Sequence, residues 1–300
     1  MSGLFTQAST WLAGAATWST RVVDLTTGDT LWEHDPARVL KTASVGKVFL
    51  LAEVARRFEA ATLDPAEVVA AGAADQVADS GVLYLMRQQD LRIDDLCLLI
   101  GAVSDNMATN ILLRRLGLEE IQRATRDLGF TASGLRDRVR LNRSRDDPLT
   151  LSVGNAAELC ALVARLDAGT IHDRAVCGRV RRWLAVNTDL SMVAGAFGLD
   201  PLAHTEPDHG FELWNKTGTI ADARIDIGCV TRRVDGRKVG YAVLANWAWG
   251  GRPPGSRAAR HAADRHGDPP LPRQCEARRL GDRSCFAGDL IGDRPQRLQV

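Results

Sequence analysis

The sequence predicts an α/β fold, in which an antiparallel sheet flanked by helices carries an inserted all-α domain. Residues 15–35 and 211–246 alternate apolar and polar positions in the manner of strands, whereas residues 44–199 have mainly helical spacing. Because the strand-like segments lie at opposite ends of this region, one sheet completed by distant segments is the simplest arrangement. We therefore expect residues 1–38 plus 207–250 to form the sheet domain, and residues 39–206 a helical domain that contains Ser44.

The first strands form a hairpin in this prediction. Residues 19–25 and 30–34 flank the turn signal Thr27-Gly28-Asp29, and a short helix is expected before them. Helical spacing follows at 48–55 and at 111–116, where Gly117 is placed to end the helix. Strand character returns in the segments 211–216, 226–231 and 239–246.

The last fifty residues differ from the rest. Residues 251–300 are rich in arginine and proline, contain no lysine and have no sustained periodicity. One interpretation is a disordered or irregular tail. The other is a frame change in a GC-rich gene that replaced the natural end, including a helix expected to close the fold.

Composition limits the classes of partner. The 38 basic and 37 acidic residues give a net charge of +1, which offers no general reason to bind nucleic acid or an anionic membrane. The N-terminus lacks a secretory signal, so a cytoplasmic protein is expected, or a secreted one if the true start is missing. The dispersed cysteines and histidines predict free thiols, no metal and no cofactor. We expect a monomer that acts on a small-molecule substrate.

Three short motifs carry the chemistry: Ser44-x-x-Lys47, Ser104-Asp105-Asn106 and Lys216-Thr217-Gly218, in this order. Serine acyl transfer needs a nucleophile beside a base, and Ser44 near a helix start with Lys47 one turn along satisfies this requirement. Ser104 is predicted to relay a proton to the leaving nitrogen, and Asn106 to bind both a substrate amide and Lys47. Taken alone, Ser44 would better suit a helix cap, and the second motif an ordinary turn.

The third motif predicts a carboxylate site at the end of a strand. Lys216 is expected to orient a substrate carboxylate, Thr217 to donate to it, and Gly218 to let backbone approach the ligand. The backbone N–H of Thr219, with that of the nucleophile, is expected to form the oxyanion hole. Arg224 offers a second carboxylate contact or is an ordinary surface arginine.

Together these motifs resemble the class A serine β-lactamase and penicillin-recognising serine hydrolase family, over about residues 15–249. The resemblance implies a β-lactamase or DD-peptidase fold. It also implies that Ser44 is acylated, that Lys47 is its base, and that Ser104 shuttles the proton. Asn106, Lys216 and Thr217 would then bind the substrate.

One departure concerns the loop that carries Glu-x-x-Leu-Asn in this family, whose glutamate activates the deacylating water. Leu141-Asn142 is present, but Arg138 stands three positions before Leu141. Asp137 is the nearest carboxylate and a possible weak general base, one residue out of register. Because general-base assistance contributes about 10²–10⁴ in rate, we expect acylation to persist and deacylation to be slow.

The resulting hypothesis is a serine hydrolase acylated at Ser44 by β-lactams or related amides and esters. Two alternatives remain open at this point. One is a cytoplasmic peptidase or esterase of the same fold. The other is a non-catalytic homologue that binds a carboxylate ligand.

Overall fold

The computed structural model describes residues 16–206 and 210–248. Its largest feature is a five-stranded antiparallel sheet in the order β2-β1-β10-β9-β8. Two small sheets, β3-β7-β6 and β4-β5, accompany it. The strands are β1 Ala16–Asp24, β2 Thr30–His34, β3 Leu40–Lys41, β4 Val68–Val69, β5 Leu91–Arg92, β6 Gly134–Leu135, β7 Ser152–Gly154, β8 Phe211–Ile220, β9 Ala223–Arg232 and β10 Lys238–Trp247.

The register confirms the antiparallel sheet and the N-terminal hairpin. β1 pairs with β2 on one side and along its whole length with β10, so that Ala16 faces Trp247 and Asp24 faces Val239. The first and last described strands are therefore neighbours, which confirms that distant segments complete one sheet. The prediction that Lys216-Thr217-Gly218 ends a strand was wrong, because β8 continues to Ile220 before the turn into β9.

Helices fill the middle of the chain, which confirms the helical prediction. They are α1 Lys47–Glu59, α2 Ile93–Val103, α3 Asn106–Leu116, α4 Leu118–Asp127, α5 Ala156–Ala168 and α6 Arg174–Ala185. The third of these ends at Gly117, whose φ of 89° is readily adopted only by glycine.

Helix α5 covers one face of the sheet and packs against β10, β1 and β9. Helix α6 packs beside it and joins the sheet to α1 and α2. The main hydrophobic core is continuous across these layers and contains Leu50, Ile111 and Ile227, all fully or almost fully buried. The 3-10 turn Ala43–Gly46, which precedes α1, packs directly against β8 and β9. The division into 1–38 plus 207–250 and 39–206 stays a prediction.

Four cysteines, Cys97, Cys160, Cys177 and Cys229, are buried free thiols, as expected. Burial raises the pKa of each, to about 11 for Cys160 and to about 12 for Cys229. None of the helices in the described ranges is long and apolar enough to cross a membrane. The predicted N-terminal helix, the tail from 251 and its two interpretations lie outside the described residues.

Candidate active site

Ser44 lies in a 3-10 turn, Ala43–Gly46, that leads directly into α1. Ala43 has a φ of 47°, a conformation that costs an alanine energy and needs outside support. The Ser152 hydroxyl supplies it by donating to the Ala43 carbonyl at 2.6 Å, and the Thr42 hydroxyl lies 2.7 Å from that of Ser152. Strand β7 thus holds the turn in the geometry that presents Ser44.

Gly218 packs against the same turn from the other side. A Cβ built on Gly218 would lie 2.3 Å from the carbonyl oxygen of Thr42 and 3.2 Å from the backbone nitrogen of Ser44. Any side chain there would collide with backbone, so glycine is needed for the two segments to meet. The sequence predicted close approach to a ligand, and the structure adds a close approach to the turn that contains Ser44.

Lys47 is fully buried and points its amine at the second motif. Its Nζ donates to the Ser104 carbonyl at 2.6 Å, to the Asn106 side-chain oxygen at 2.8 Å and to the Ser104 hydroxyl at 3.3 Å. Burial lowers the pKa of Lys47 well below its usual value, and the Lys216 charge lowers it further, although Asp105 and Asp79 act in the opposite direction. An amine in this environment is a suitable proton acceptor for a neighbouring hydroxyl.

The second motif is shaped by a strained residue and a cap. Ser104 ends α2 with a φ of 57°, which turns the chain sharply into α3. Asp105 is completely buried and accepts hydrogen bonds from the backbone N–H groups of Ala108, Val82 and Leu83, each at 2.8–2.9 Å. Asp105 therefore caps α3 and holds the loop, and the hydroxyl of Ser104 remains beside Lys47.

Lys216 is also fully buried, in the middle of β8. Burial lowers the pKa of Lys216 to about 8, while Asp189 and Asp226 act to raise it. Although burial raises the pKa of Asp189, hydrogen bonds from the Ser191 and Thr217 hydroxyls and the charge of Lys216 lower it overall. The structure thus brings Ser44, Lys47 and Ser104 together with the third motif. Lys47 and Lys216 are close enough for their positive charges to repel each other.

The sequence matches the β-lactamase enzyme family over residues 5–265, which is most of the chain. The chain belongs to the β-lactamase enzyme family. This confirms the resemblance and, at the level of the family, the prediction of a serine hydrolase acting on β-lactams. No curated protein matches the chain.

Solved structures of this family share the fold. A β-lactamase from Sphaerobacter thermophilus is 22% identical, with a TM-score of 0.71 over 82% of this chain and 88% of that one. The class A β-lactamase from Mycobacterium abscessus is 21% identical, with a TM-score of 0.68 over 80% and 89%. PBP-A is 17% identical, with a TM-score of 0.69 over 84% and 89%. These values confirm the predicted β-lactamase-like fold.

The loop around Leu141-Asn142, where the resemblance implies a Glu-x-x-Leu-Asn motif, holds Asp137 in ion pairs. Asp137 is buried, accepts from Arg140 Nε at 2.8 Å and forms a closer contact with Arg143. Arg140 also pairs with Asp147 at 3.2 Å, and Arg143 donates to the Pro148 carbonyl at 2.7 Å. Asp137 is thus held by two arginines, and its role as a weak general base stays a prediction.

Arg224 lies next to Thr219, since these two residues pair across β8 and β9. Its guanidinium donates to the carbonyls of Ile220 and Ala223, and lies over the Trp247 ring with 5.7 Å to the centroid. These contacts close the β8–β9 turn at the edge of the site. A role in binding a substrate carboxylate stays a prediction for Arg224.

The acidic and polar groups near Lys216 were not predicted from the sequence. Asp226 is buried and accepts from the Asn215 side-chain amide at 3.0 Å and from the Tyr241 hydroxyl at 3.3 Å. Asn187 donates to Asn215 at 2.8 Å and so connects this network to the segment that holds Asp189. Burial raises the pKa of Asp226 to about 6. Its position opposite Thr217 follows from strand register, for which the sequence carries no local signal.

Proposed function

We propose that Ser44 is the nucleophile of this enzyme and is acylated by β-lactams, and that the acyl-enzyme is released slowly. The observation that carries the proposal is the buried Lys47 amine, with its lowered pKa, bonded to Ser104 and Asn106 one turn after Ser44. Such an amine accepts the hydroxyl proton without a metal or cofactor.

The proposed acylation follows from this geometry. The Oγ of Ser44 attacks the lactam carbonyl carbon while its proton passes to Nζ of Lys47. The bond between the carbonyl carbon and the ring nitrogen then breaks, and the nitrogen takes a proton through the Ser104 hydroxyl. Backbone N–H groups of Ser44 and Thr219 stabilise the oxyanion. The close packing of Gly218, which precedes Thr219, against the backbone of Ser44 supports this assignment.

Binding of the substrate is proposed to use the third motif and Asn106. Lys216 supplies a positive charge for the carboxylate of a β-lactam, with Thr217 and the neighbouring Arg224 as further donors. Asn106 already uses its side-chain oxygen for Lys47, and its N–H₂ group faces the Ala78 carbonyl at 3.3 Å. The second N–H of that group is the donor that we assign to the substrate amide.

Slow release is proposed because the loop of Arg138 offers no uncommitted carboxylate in the expected place. Asp137 is held by two arginines, and hydrogen bonds from Ser144 lower the pKa of Asp147, which makes it a weaker base. A water at the acyl carbon would therefore lack a general base at position 138, and Asp137 and Asp147 are poorly suited to replace it.

The test is an intact-mass time course of the protein with excess benzylpenicillin. We expect an adduct of the full mass of the penicillin, because ring opening retains the leaving nitrogen, and a long persistence of that adduct. Ser44→Ala should give none, whereas Thr27→Ala, which removes an exposed hydroxyl from the β1–β2 turn, should behave as the parent. An adduct that also forms on Ser44→Ala, or no adduct on any protein that is shown to be folded, would refute the proposal.

A further inference from the structure

Asp79 lies at the edge of the cluster formed by Lys47, Ser104 and Asn106. Both of its chain neighbours are bound to Asn106, whose side-chain N–H donates to the Ala78 carbonyl at 3.3 Å and whose backbone N–H donates to the Ser80 carbonyl at 3.0 Å. The backbone of Asp79 is therefore fixed from both sides, next to the amide that we assign to the acyl side chain of the substrate.

The conformation of Asp79 is unusual for a residue with a side chain. Its φ is 82°, in the left-handed region, where glycine is favoured and aspartate and asparagine are tolerated better than most others. The residue is exposed, and within the described residues its carboxylate forms no hydrogen bond or ion pair. The loop thus presents an uncommitted negative charge.

The negative charge of Asp79 acts electrostatically on the site. Burial lowers the pKa of Lys47 overall, but the charge of Asp79 acts in the opposite direction, which places the carboxylate within electrostatic reach of the proton acceptor. Two acidic residues of the loop after Arg136 differ in this respect, since Asp137 and Asp147 are paired with arginines. Asp79 is therefore a negative charge near the site. A ligand can pair with it without breaking an existing ion pair or hydrogen bond of its carboxylate.

We propose that Asp79 is a specificity residue that favours substrates whose acyl side chain carries a positive charge, such as an ammonium. The inference rests on the proposed acylation of Ser44 and narrows its substrate class. An exposed pair of this kind changes a rate by a few-fold for each unit of charge. We expect about a tenfold difference between ammonium and carboxylate side chains, and a smaller difference as salt is added.

The experiment compares second-order acylation rates for three penicillins that share one core. Benzylpenicillin, ampicillin and carbenicillin carry no charge, an ammonium and a carboxylate, respectively, on the same side-chain carbon. Measurements at about pH 6.5 keep the ammonium largely protonated. We expect ampicillin to react fastest and carbenicillin slowest in the parent, and the ratio of their rates to fall about tenfold in Asp79→Asn, which preserves a tolerated φ.

Two further variants make the result specific. Asp79→Gly removes the charge and the strain together and should lower the ratio as Asp79→Asn does. Asp29→Asn removes the same charge from the exposed β1–β2 turn and should leave the ratio unchanged. Thermal unfolding of each variant confirms that it is folded.

The outcomes separate the two proposals. If none of the three penicillins acylates the parent, the proposed function is wrong and the role of Asp79 with it. If the parent is acylated at Ser44 but the ampicillin-to-carbenicillin ratio is the same in the parent, Asp79→Asn and Asp79→Gly, the role of Asp79 alone is refuted. A ratio that falls equally in Asp29→Asn refutes it as well, because the effect would then be one of net charge.

Discussion

The segments around Ser44 and the loop from Arg136 to Thr150 both contain buried charged side chains, but they differ in how far those charges are paired. Around Ser44, charged groups are buried without full neutralisation: Lys47 and Lys216 are both fully buried, and burial lowers the pKa of each. In the loop, Asp137 is neutralised by Arg140 and Arg143. Groups kept in unfavourable ionisation states are typical of catalysis, whereas paired charges are typical of a fixed loop. The difference supports the proposed acylation at Ser44, and it shows that Asp137 and Asp147 are engaged in ion pairs within their loop.

Loss of the Lys47 amine should give the largest effect. Lys47→Met keeps the length of the side chain and removes the base, so we expect acylation by benzylpenicillin to slow by about 10²–10⁴. In the parent, the rate should fall as pH is lowered through the pKa of Lys47, which lies well below that of an ordinary lysine. Lys238→Met, at the other end of the sheet where Lys238 pairs with Asp167, is the control. Equal rates in the two variants would contradict the assignment.

Gly218→Ala tests the contact between β8 and the turn Ala43–Gly46, which contains Ser44. The new Cβ would meet the Thr42 carbonyl at 2.3 Å, so that either the turn or the strand must move. Because an oxyanion-hole donor contributes about 10²–10³ in rate, we expect a loss of that order in acylation. Gly210→Ala has open space around its Cβ and should react as the parent does. If Gly218→Ala is acylated at the parental rate, the backbone of Ser44 does not depend on this fit.

Asp226→Asn tests whether the buried charges near Lys216 cost stability. Burial raises the pKa of Asp226 from 3.8 to about 6, so the folded state holds this proton more tightly than the unfolded state does. The ionised carboxylate therefore destabilises the fold above about pH 6, and this effect vanishes as pH falls to about 4. The hydrogen bond that the Ala194 N–H donates to the carboxylate is lost, which costs about 1 kcal/mol. With this loss included, we expect Asp226→Asn to be more stable than the parent by about 2 kcal/mol at neutral pH.

Denaturant unfolding of both proteins across this pH range measures the difference. The gain should be absent near pH 4 and complete above about pH 6. A gain that does not change with pH would mean that packing, and not ionisation, separates the two proteins.

Arg138→Glu should give the smallest effect, on the loop side of the comparison. The substitution places a carboxylate three residues before Leu141 and removes one exposed hydrogen bond, from Arg138 to the Ala74 carbonyl. We expect the benzylpenicillin adduct to decay about tenfold faster, less than a fully positioned general base would give. Arg138→Gln lacks the carboxylate and should decay at the parental rate. Equal decay of the two variants would show that the loop does not bring this position to the acyl group.

The catalytic motifs were predictable because each carries its chemistry in adjacent residues, as in Ser104-Asp105-Asn106. The extent of β8 was not, because Thr219 and Ile220 give no turn signal and the chain reverses only at Ala221-Asp222. Ser152 and Asp226 were missed for a different reason. Their importance comes from contact with Ala43 and Asn215, which depends on packing and strand register that no local pattern encodes.

The buried cysteines affect the choice of chemical labels. A thiol is ordinarily a better nucleophile than a hydroxyl, but only as the thiolate. Burial raises the pKa of Cys97, Cys160, Cys177 and Cys229, so these four groups stay protonated and shielded at neutral pH. An acylating probe with a carboxylate should therefore modify a serine in preference to these thiols, which reverses the usual order of reactivity between the two side chains.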